Sequence, residues 1–398
     1  MQPLSDYFSF KSNPKAIVEL DGLRAIAVLL VLCRHAVWPL YSQDKTLFPI
    51  GEWDILIPFL NGWIGVDLFF VLSGFLITYH LLKRGVNSSF SKIGQYLGGR
   101  LLRIIPAYFT VLALVVLGMI PLYQIAPDYL GVRIIYHLLF LQDYLPANIV
   151  VAFWSLGVEE KFYFLAPFLL LLAVGQKTPT RCYMLLGALV LLPLLFRAIT
   201  AVLYYPEITS YGDFFTIFRS PFHHSFDGLA IGVFCAFLYS SQLKKGAPKN
   251  PDWAIRIFWF SSALLCLQLF GSELLGKIGW YQKIFQPLVL SLTFGGILMG
   301  AIFGGSPKYI LGAYSLRVIA RISYPLYLIH IPLLPLCLTL SGYQVGNGGF
   351  AFCQFLAVFF TLSGMAALFL HFVAEKPFLL LKDKMWSPPL KNIVATPD

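Results

Sequence analysis

Three ionisable residues, Arg24, Arg34 and His35, lie in the first apolar segment of the chain, where such side chains are rare. Arg24 and His35 are eleven positions apart, so on a helix they would share one face, separated by about 16 Å. Because a charge in the bilayer centre costs at least about 2.5 kcal/mol, such residues usually serve a function. The spacing suits a ligand with an anionic head and a reactive tail, such as acyl-coenzyme A. The alternative is a snorkelling arginine and a hydrogen-bonded core histidine. Arg34 should point elsewhere and need its own partner.

The second apolar segment carries Asp67 and Ser73. A carboxylate one turn inside a span needs a cation, so we expect Asp67 to pair with an arginine or histidine of the first segment, either as a structural ion pair or in catalysis. Ser73 resembles Gly65 and Gly74 in being small enough to permit close helix contact.

Arg100 and Arg103 precede the third apolar segment, which we predict to begin at Ile104. A spacing of three places both guanidinium groups on one helical face. Paired arginines match the geometry of phosphate oxygens. The two residues are therefore either a phosphate site or a positively charged anchor at the cytoplasmic end of the span.

The fourth apolar segment begins near Trp154 and carries polar residues at a spacing of four. Ser155, Glu159 and Tyr163 would share one helix face. A buried glutamate with a serine and a tyrosine one turn away can orient a histidine or transfer a proton itself. The alternative is an interfacial aromatic belt with a carboxylate that reaches toward water. We expect Glu159 to lie in the same half of the membrane as His35.

Later polar residues give weaker signals. Asp227, which follows His223 and His224, could line a cavity near the start of the sixth segment. Tyr324 and His330 lie in a stretch whose prolines predict a helix broken twice, and such breaks need a protein-lined or watery environment. We interpret His330 as a hydrogen-bonded packing residue.

The composition places these residues in a polytopic membrane protein. The 398 residues are 58% hydrophobic and only 12% charged, against about 25% charged in soluble domains. At about 20 residues per span, we predict an all-α fold with about ten transmembrane helices. The segments are Leu23 to Leu40, Gly62 to Leu82, Ile104 to Tyr123, Phe153 to Val174, Cys182 to Tyr204, Pro221 to Ser240, Trp253 to Phe270, Phe285 to Phe303, Val318 to Leu340 and Phe350 to Phe372. The cysteines lack paired spacing, so we predict no metal site.

Loop charges predict the orientation of these spans. Lys and Arg near span ends mark the cytoplasmic side, and their alternation along the chain places both termini there. We divide the chain into a tail over residues 1–19, a transmembrane domain over residues 20–380 and a tail over residues 381–398. The net charge of +10 then lies mainly on one face, which indicates membrane topology rather than nucleic-acid binding. The bilayer is the expected partner, and the oligomeric state stays open.

In order and spacing, these motifs resemble the bacterial membrane-bound acyltransferases of family 3, which include O-antigen and exopolysaccharide O-acetylases. The resemblance covers about residues 17 to 380. The matching residues are Leu20-Asp21-Gly22-Leu23-Arg24 with His35, the stretch from Gly65 to Leu76, Arg100 with Arg103, Phe153-Trp154-Ser155-Leu156 with Glu159 and Tyr163, Ser323-Tyr324 through His330, and Glu375-Lys376-Pro377. Lys376 stands where the family usually has arginine.

The resemblance implies an enzyme of the bacterial inner membrane that uses acyl-CoA, most often acetyl-CoA, from the cytoplasm. It implies transfer to a hydroxyl of a surface glycan, such as lipopolysaccharide O-antigen or exopolysaccharide, or of a lipid-linked precursor. Arg24 and His35 would be essential, and Arg100 and Arg103 would support donor binding. Some relatives carry an extracytoplasmic esterase-like domain; we expect this chain to act alone or with a separate extracytoplasmic transferase.

The residues and the resemblance lead to one mechanism. His35, oriented by Glu159 or Asp67, would act as general base toward the acceptor hydroxyl or carry the acyl group transiently, with Tyr163 in the same group. The three arginines would hold the donor phosphates. One alternative is an acyltransferase with a small-molecule or lipid acceptor. Another is a proton-coupled transporter in which the same residues form a proton relay.

Overall fold

Helices make up nearly all of the structure, which confirms an all-α membrane protein. The computed structural model describes residues 7–8, 10, 17–41, 48–50, 53–84, 90–144, 149–204, 208, 210–244, 246, 251–271 and 278–386. Within these ranges, ten helices have 17 residues or more. They are α1 (Val18–Tyr41), α2 (Gly65–Arg84), α3 (Phe90–Val116), α4 (Trp154–Val174), α5 (Pro179–Tyr204), α6 (Asp227–Lys244), α7 (Asp252–Gly271), α8 (Gln286–Ile302), α9 (Tyr314–Ser341) and α10 (Gly349–Leu370).

Seven helical stretches in the described ranges are long and apolar enough to cross a membrane, judged by length and composition. They include α2, α3, α5, α7, α8, α9 and α10. Helix α6 is apolar but shorter, and α1 and α4 each carry a charged residue of the predicted site, Arg24 and Glu159. The helices support a multi-pass protein, while ten spans and cytoplasmic termini stay predictions.

Shorter elements connect the long helices. Short helices cover Ile57–Leu60, Asn61–Ile64, Leu130–Leu138, Val151–Phe153, Tyr211–Phe214, Phe222–Ser225, Lys308–Leu311 and Lys376–Trp386. π-Helical turns, which often occur at functional sites, cover Phe215–Arg219, Tyr281–Phe285 and His371–Glu375. Strands Pro49–Ile50 and Trp53–Asp54 pair antiparallel.

The predicted boundaries of the third segment are wrong. Helix α3 begins at Phe90, so Arg100 and Arg103 lie inside the helix and do not precede it. It ends at Val116, and the chain turns at Gly118, whose φ of +66° favours glycine. The early start carries the two arginines into the packed bundle, where both line a cavity.

The predicted boundaries of the sixth and tenth segments also differ from the structure. Helix α6 begins at Asp227 and not at Pro221, because the π-helical turn and the short helix Phe222–Ser225 precede it. Helix α10 continues through the π-helical turn His371–Glu375 into the helix Lys376–Trp386. That helix extends into the stretch predicted as the C-terminal tail, and residues 387–398 lie outside the described ranges.

Helix α9 is continuous, so the prediction of a twice-broken helix is wrong. Pro325, Pro332 and Pro335 all lie inside it. Proline removes a backbone donor, but neighbouring side chains can satisfy the freed carbonyl groups in membrane helices. Separately from the prolines, the Nδ1 of His330 lies 2.8 Å from the carbonyl oxygen of Tyr327, whose i+4 residue is Ile331 and not a proline. A side chain that the site uses thus also supports the helix.

Glycines fix α2 between α1 and α6. A Cβ on Gly65 would lie 2.4 Å from the carbonyl oxygen of Ala27 in α1. A Cβ on Gly74 would lie 2.1 Å from the carbonyl oxygen of Leu229 in α6, and Gly232 of α6 approaches the α2 backbone as closely. Only small residues permit such contacts. The predicted packing role of Gly65 and Gly74 is confirmed.

Candidate active site

Three adjoining cavities in the bundle contain most of the predicted site residues. The first, which we call the basic mouth, has about 350 Å³ and includes Asp21, Arg24, Arg103, Arg317, Arg321 and Lys382 in its lining. The middle cavity has about 90 Å³, and the aromatic cavity about 260 Å³. Arg24 and Arg103 line both the mouth and the middle cavity. Val66 and Tyr327 line both the middle and the aromatic cavity.

The middle cavity brings together residues that are far apart in the sequence. It is lined by α1, α2, α3, α4 and α9. The predicted residues that line it are Arg24, Ser73, Arg100, Arg103, Ser155, Glu159, Tyr163 and Tyr324. The shared helix face predicted for Ser155, Glu159 and Tyr163 is therefore confirmed.

Glu159 is held by hydrogen bonds on one side of the middle cavity. Its Oε1 accepts a hydrogen bond from the Oγ of Ser73 at 2.5 Å and another from the hydroxyl of Tyr163. The guanidinium carbon of Arg100 lies 5.3 Å from the centre of the Tyr163 ring. Ser73 is thus a hydrogen-bond donor in a cavity, so the prediction of a packing role alone was incomplete. The network fixes a carboxylate close to a guanidinium group.

The basic mouth has an excess of positive charge. Arg24, Arg103, Arg317, Arg321 and Lys382 line it together with Asp21, Glu375 and Asp383. The Nε of Arg317 lies 3.5 Å from Asp21 Oδ2, and the guanidinium carbon of Arg321 lies 4.4 Å from the Phe10 ring centre. Guanidinium groups in such a cluster suit the oxygens of an anionic ligand. The mouth connects through Arg24 and Arg103 to the middle cavity.

His35 lines the aromatic cavity and not the middle one. The prediction that Arg24 and His35 mark two ends of one channel is therefore modified: they line different cavities, with Val66 and Tyr327 between them. Arg34 lines the same cavity as His35, so the prediction that it points elsewhere is wrong. Its guanidinium carbon lies 4.3 Å from the Trp38 ring centre.

His330 is the hydrogen-bonding partner of His35. The Nε2 of His330 lies 3.1 Å from the Nδ1 of His35, which also lies 2.9 Å from the carbonyl oxygen of Val31. The carbonyl of Tyr327 requires the Nδ1 of His330 to donate. The Nε2 of a neutral His330 therefore accepts, the Nδ1 of His35 donates, and the Nε2 of His35 remains unprotonated. This is the tautomer that a general base needs.

The predicted orientation of His35 by Glu159 or Asp67 is wrong. Glu159 is engaged by Ser73 and Tyr163 in the other cavity. Asp67 forms a two-pronged ion pair with Arg219, at 2.9 and 2.7 Å. Its partner thus comes from the π-helical turn before α6 and not from the first segment, because the N-terminal end of α2 faces that turn.

Arg219 lies between two aromatic rings beside the aromatic cavity. Its guanidinium carbon is 5.0 Å from the ring centre of Trp63 and 5.2 Å from that of Trp154. All three side chains line this cavity. Trp154, taken from a sequence motif, therefore has a physical role: it packs against a buried cation whose charge Asp67 balances.

Asp227 forms a buried ion pair and lines none of the three cavities. Its carboxylate accepts hydrogen bonds from Arg197 at 2.6 and 2.8 Å, and Arg197 also donates to the backbone carbonyl of His224. The prediction that Asp227 lines a cavity is wrong, because α5 supplies an arginine that binds it. This contact joins α5 to the start of α6.

Two tyrosines of α9 occupy different positions. The hydroxyl of Tyr324 donates to the backbone carbonyl of Ile104 at 2.9 Å. The hydroxyl of Tyr327 lies 2.6 Å from the Oγ of Ser155 and donates to the carbonyl of Ala152 at 2.9 Å. Ser155 thus anchors the side chain that separates the middle cavity from the aromatic one.

Sequence reasoning missed Arg197, Arg219 and Tyr327. Arg197 could have been identified, because it lies inside the predicted fifth segment and, like Arg24, is an ionisable residue within a predicted membrane span. Arg219 lies between predicted segments, where arginine is ordinary. Among the residues that the structure describes, no cluster of three or more His, Cys, Asp or Glu could hold a metal ion.

Comparison with known proteins places this chain in a family. The family model described as an acyltransferase domain matches residues 17–376. A peptidoglycan O-acetyltransferase of Listeria monocytogenes is 28% identical over 341 residues, which are 81% of this chain and 50% of that protein. A putative peptidoglycan O-acetyltransferase of Bacillus subtilis is 26% identical over 376 residues, 90% of this chain and 54% of that protein.

A putative O-acetyltransferase of Staphylococcus aureus is 30% identical over 177 residues, which cover 41% of this chain and 26% of that protein. The chain spans about half the length of the first two relatives. No solved structure matches it significantly. Because the family model covers nearly the whole chain, from the start of α1 to the end of the π-helical turn after α10, the protein belongs to the acyltransferase family that its motifs resemble.

Proposed function

We propose that this protein is a membrane O-acetyltransferase that moves an acetyl group from acetyl-CoA to a hydroxyl of a cell-envelope glycan. One observation carries the proposal: a cavity lined by Arg24, Arg100 and Arg103 adjoins the cavity of His35. The three arginines suit an anionic donor, and His35 suits proton transfer. Only the side chains of Val66 and Tyr327 are shared between the two linings. A single thioester would therefore lie within reach of both the arginines and His35.

The donor would enter through the basic mouth. Its phosphates would contact Arg24 and Arg103, which line the mouth and the middle cavity, and its acyl arm would extend past Arg100. The middle cavity has about 90 Å³ and is the smallest of the three. A small cavity suits a thin arm with a short acyl end. The acyl end would then pass Val66 and Tyr327 toward His35.

The chemistry needs only one general base. The Nε2 of His35 would accept the proton of the acceptor hydroxyl while that oxygen bonds to the carbonyl carbon of the thioester. The carbon–sulfur bond breaks, and the leaving thiolate takes the proton from His35, which gives an ester and free CoA thiol. Such a base contributes about 100-fold to 10,000-fold. His330 accepts a hydrogen bond from the Nδ1 of His35 throughout.

The acceptor and the location follow from different arguments. The relatives named peptidoglycan O-acetyltransferases make peptidoglycan a candidate acceptor. Lipopolysaccharide O-antigen, exopolysaccharide and lipid-linked precursors are the candidates that the motif resemblance implies. The motif resemblance implies the bacterial inner membrane, and the loop charges favour the cytoplasmic side for the donor. A separate extracytoplasmic transferase could receive the acetyl group before the glycan does.

Acetyl transfer by purified protein tests the proposal directly. The protein would be reconstituted in liposomes with radiolabelled acetyl-CoA and isolated cell-wall glycan, and label on the glycan would be counted. We expect His35→Ala to abolish transfer and Arg24→Ala or Arg103→Ala to raise the KM for acetyl-CoA. His80→Ala is the matched control, because His80 is an exposed histidine of α2 that lines none of the three cavities.

Two outcomes would contradict the proposal. Full transfer by His35→Ala would remove the general base from the mechanism. Solute flux driven by a proton gradient, without any labelled glycan, would support the transporter alternative. Label trapped covalently on His35 would instead show that the histidine carries the acetyl group, and the direct transfer described above would be wrong.

A further inference from the structure

The aromatic cavity has a lining that exceeds what proton transfer by His35 requires. The Trp38 and Tyr211 ring centres are 5.8 Å apart, those of Tyr211 and Phe215 are 6.3 Å apart, and those of Phe215 and Trp154 are 5.6 Å apart. All four rings line the cavity that His35 lines. They form one continuous aromatic wall of this cavity, which begins at Trp38 on the same helix as His35.

This wall is not a lipid-facing aromatic belt. Trp154 is 5% exposed and Trp38, Tyr211 and Phe215 are partly buried, whereas Trp259 on α7 is 57% exposed. The wall also contains a charged group, since the Arg34 guanidinium carbon lies 4.3 Å from the Trp38 ring centre and 5.8 Å from that of Tyr211. Rings with a guanidinium group among them suit a ligand that has both apolar and polar faces.

We propose that the aromatic cavity binds a single pyranose ring of the acceptor, with Trp38, Tyr211 and Arg34 as its specificity-determining residues. The C–H face of a sugar ring is weakly positive and packs on the negative face of an aromatic ring. The equatorial hydroxyl groups then point sideways, where Arg34 can donate hydrogen bonds and one hydroxyl reaches His35. This inference rests on the proposed function and names the chemistry of its acceptor site.

The size of the cavity favours one ring over a longer segment. Its volume of about 260 Å³ lies just below the range of about 300–1,000 Å³ for pockets that enclose drug-sized ligands. A glycan chain would therefore place one sugar unit in the cavity and leave its neighbours outside. An apolar alcohol would fill the same space but would give Arg34 no ring of hydroxyl groups to bind.

Acceptor binding can be measured separately from transfer. We would use the inactive variant His35→Ala and follow the binding of chitotetraose, a soluble amino-sugar oligomer, by tryptophan fluorescence. We expect Trp38→Leu in this background to weaken binding about tenfold, equivalent to about 1.4 kcal/mol, and Trp38→Phe to restore most of it. Trp259→Leu is the matched control on the exposed surface and should change nothing.

Steady-state kinetics of the active protein supply the second measurement. Tyr211→Leu and Arg34→Gln should raise the KM for chitotetraose about tenfold, should raise the KM for 1-octanol less because it offers Arg34 no ring of hydroxyl groups, and should leave the KM for acetyl-CoA unchanged. Equal losses with the sugar and with octanol would overturn the proposal, as would unchanged binding of chitotetraose in Trp38→Leu. If the protein transfers no acetyl group but binds chitotetraose through Trp38, the proposed function fails and the sugar site stands.

Discussion

Replacing His330 tests the tautomer argument on which the proposed mechanism depends. The side chain is fully buried and contacts His35 through its Nε2. His330→Leu removes the acceptor with little change in volume. The carbonyl of Val31, 2.9 Å from the Nδ1 of His35, would still hold the ring, so we expect reduced activity and not its complete loss.

The size of the effect follows from the charge that His35 gains during the reaction. Before proton transfer, the bond between the two imidazoles joins neutral groups and contributes about 0.5–1.5 kcal/mol. In the transition state, His35 carries a positive charge, and such bonds contribute about 1.5–3 kcal/mol. The difference of about 1–1.5 kcal/mol corresponds to a loss of roughly tenfold in kcat, well below the loss expected for His35→Ala.

The assay is acetyl transfer at saturating donor, with the KM for acetyl-CoA measured in parallel. We expect kcat to fall and the KM for the donor to stay constant, because the basic mouth and the middle cavity are unchanged. His330→Gln should recover part of kcat, since its amide oxygen can accept from His35. Unchanged kcat in His330→Leu, in protein with a normal melting temperature, would refute the tautomer argument; so would a loss of donor affinity alone.

Three further predictions concern the bundle that holds the site. Asp67→Asn leaves the charge of Arg219 buried without its counter-ion and should destabilise the fold by about 3–5 kcal/mol. The double variant that also carries Arg219→Gln should recover part of that stability. Thermal melting in detergent measures both effects. Gly74→Ala should destabilise by at least about 1–3 kcal/mol, whereas Gly364→Ala, whose added Cβ has no described atom within 4 Å, should be neutral or stabilising in the same assay. Burial lowers the pKa of His137, in the short helix Leu130–Leu138, to about 4. Because the unfolded chain binds this proton near pH 6.5, about 3 kcal/mol of stability should be lost as the pH falls from 6.5 to 4. His137→Gln should therefore reduce the pH dependence of the melting temperature over that range.

Helical spacing predicted contacts within a helix well. Ser155, Glu159 and Tyr163 line one cavity because four residues make about one turn, and that relation is independent of the rest of the chain. The cost argument also identified Arg24 as a residue that must face the protein interior, where it lies. These predictions used only geometry or energy local to one helix.

Partners between helices could not be predicted in the same way. Asp67 and Asp227 each needed a cation, and several arginines were available; the pairing with Arg219 and Arg197 depends on how α2, α5 and α6 pack. That packing depends on glycine contacts whose partners lie more than 150 residues away in the chain, as for Gly74 and Leu229. His330 illustrates the same limit, since its role appears only when α9 lies against α1.

The wall formed by Val66 and Tyr327 has a consequence for the electrical potential across the membrane. In the predicted orientation, the basic mouth and the aromatic cavity open toward opposite sides of the membrane, across which each unit charge experiences about 2.3 kcal/mol per 100 mV. A continuous aqueous path would let protons leak at every turnover. Two side chains in its place separate the cavities. In the proposed reaction the acetyl group passes them toward the acceptor while one proton passes from His35 to the leaving thiolate, so no net charge crosses. In that orientation, we expect the hydroxyl of Tyr327, which lies 2.6 Å from the Oγ of Ser155, to help to preserve the membrane potential.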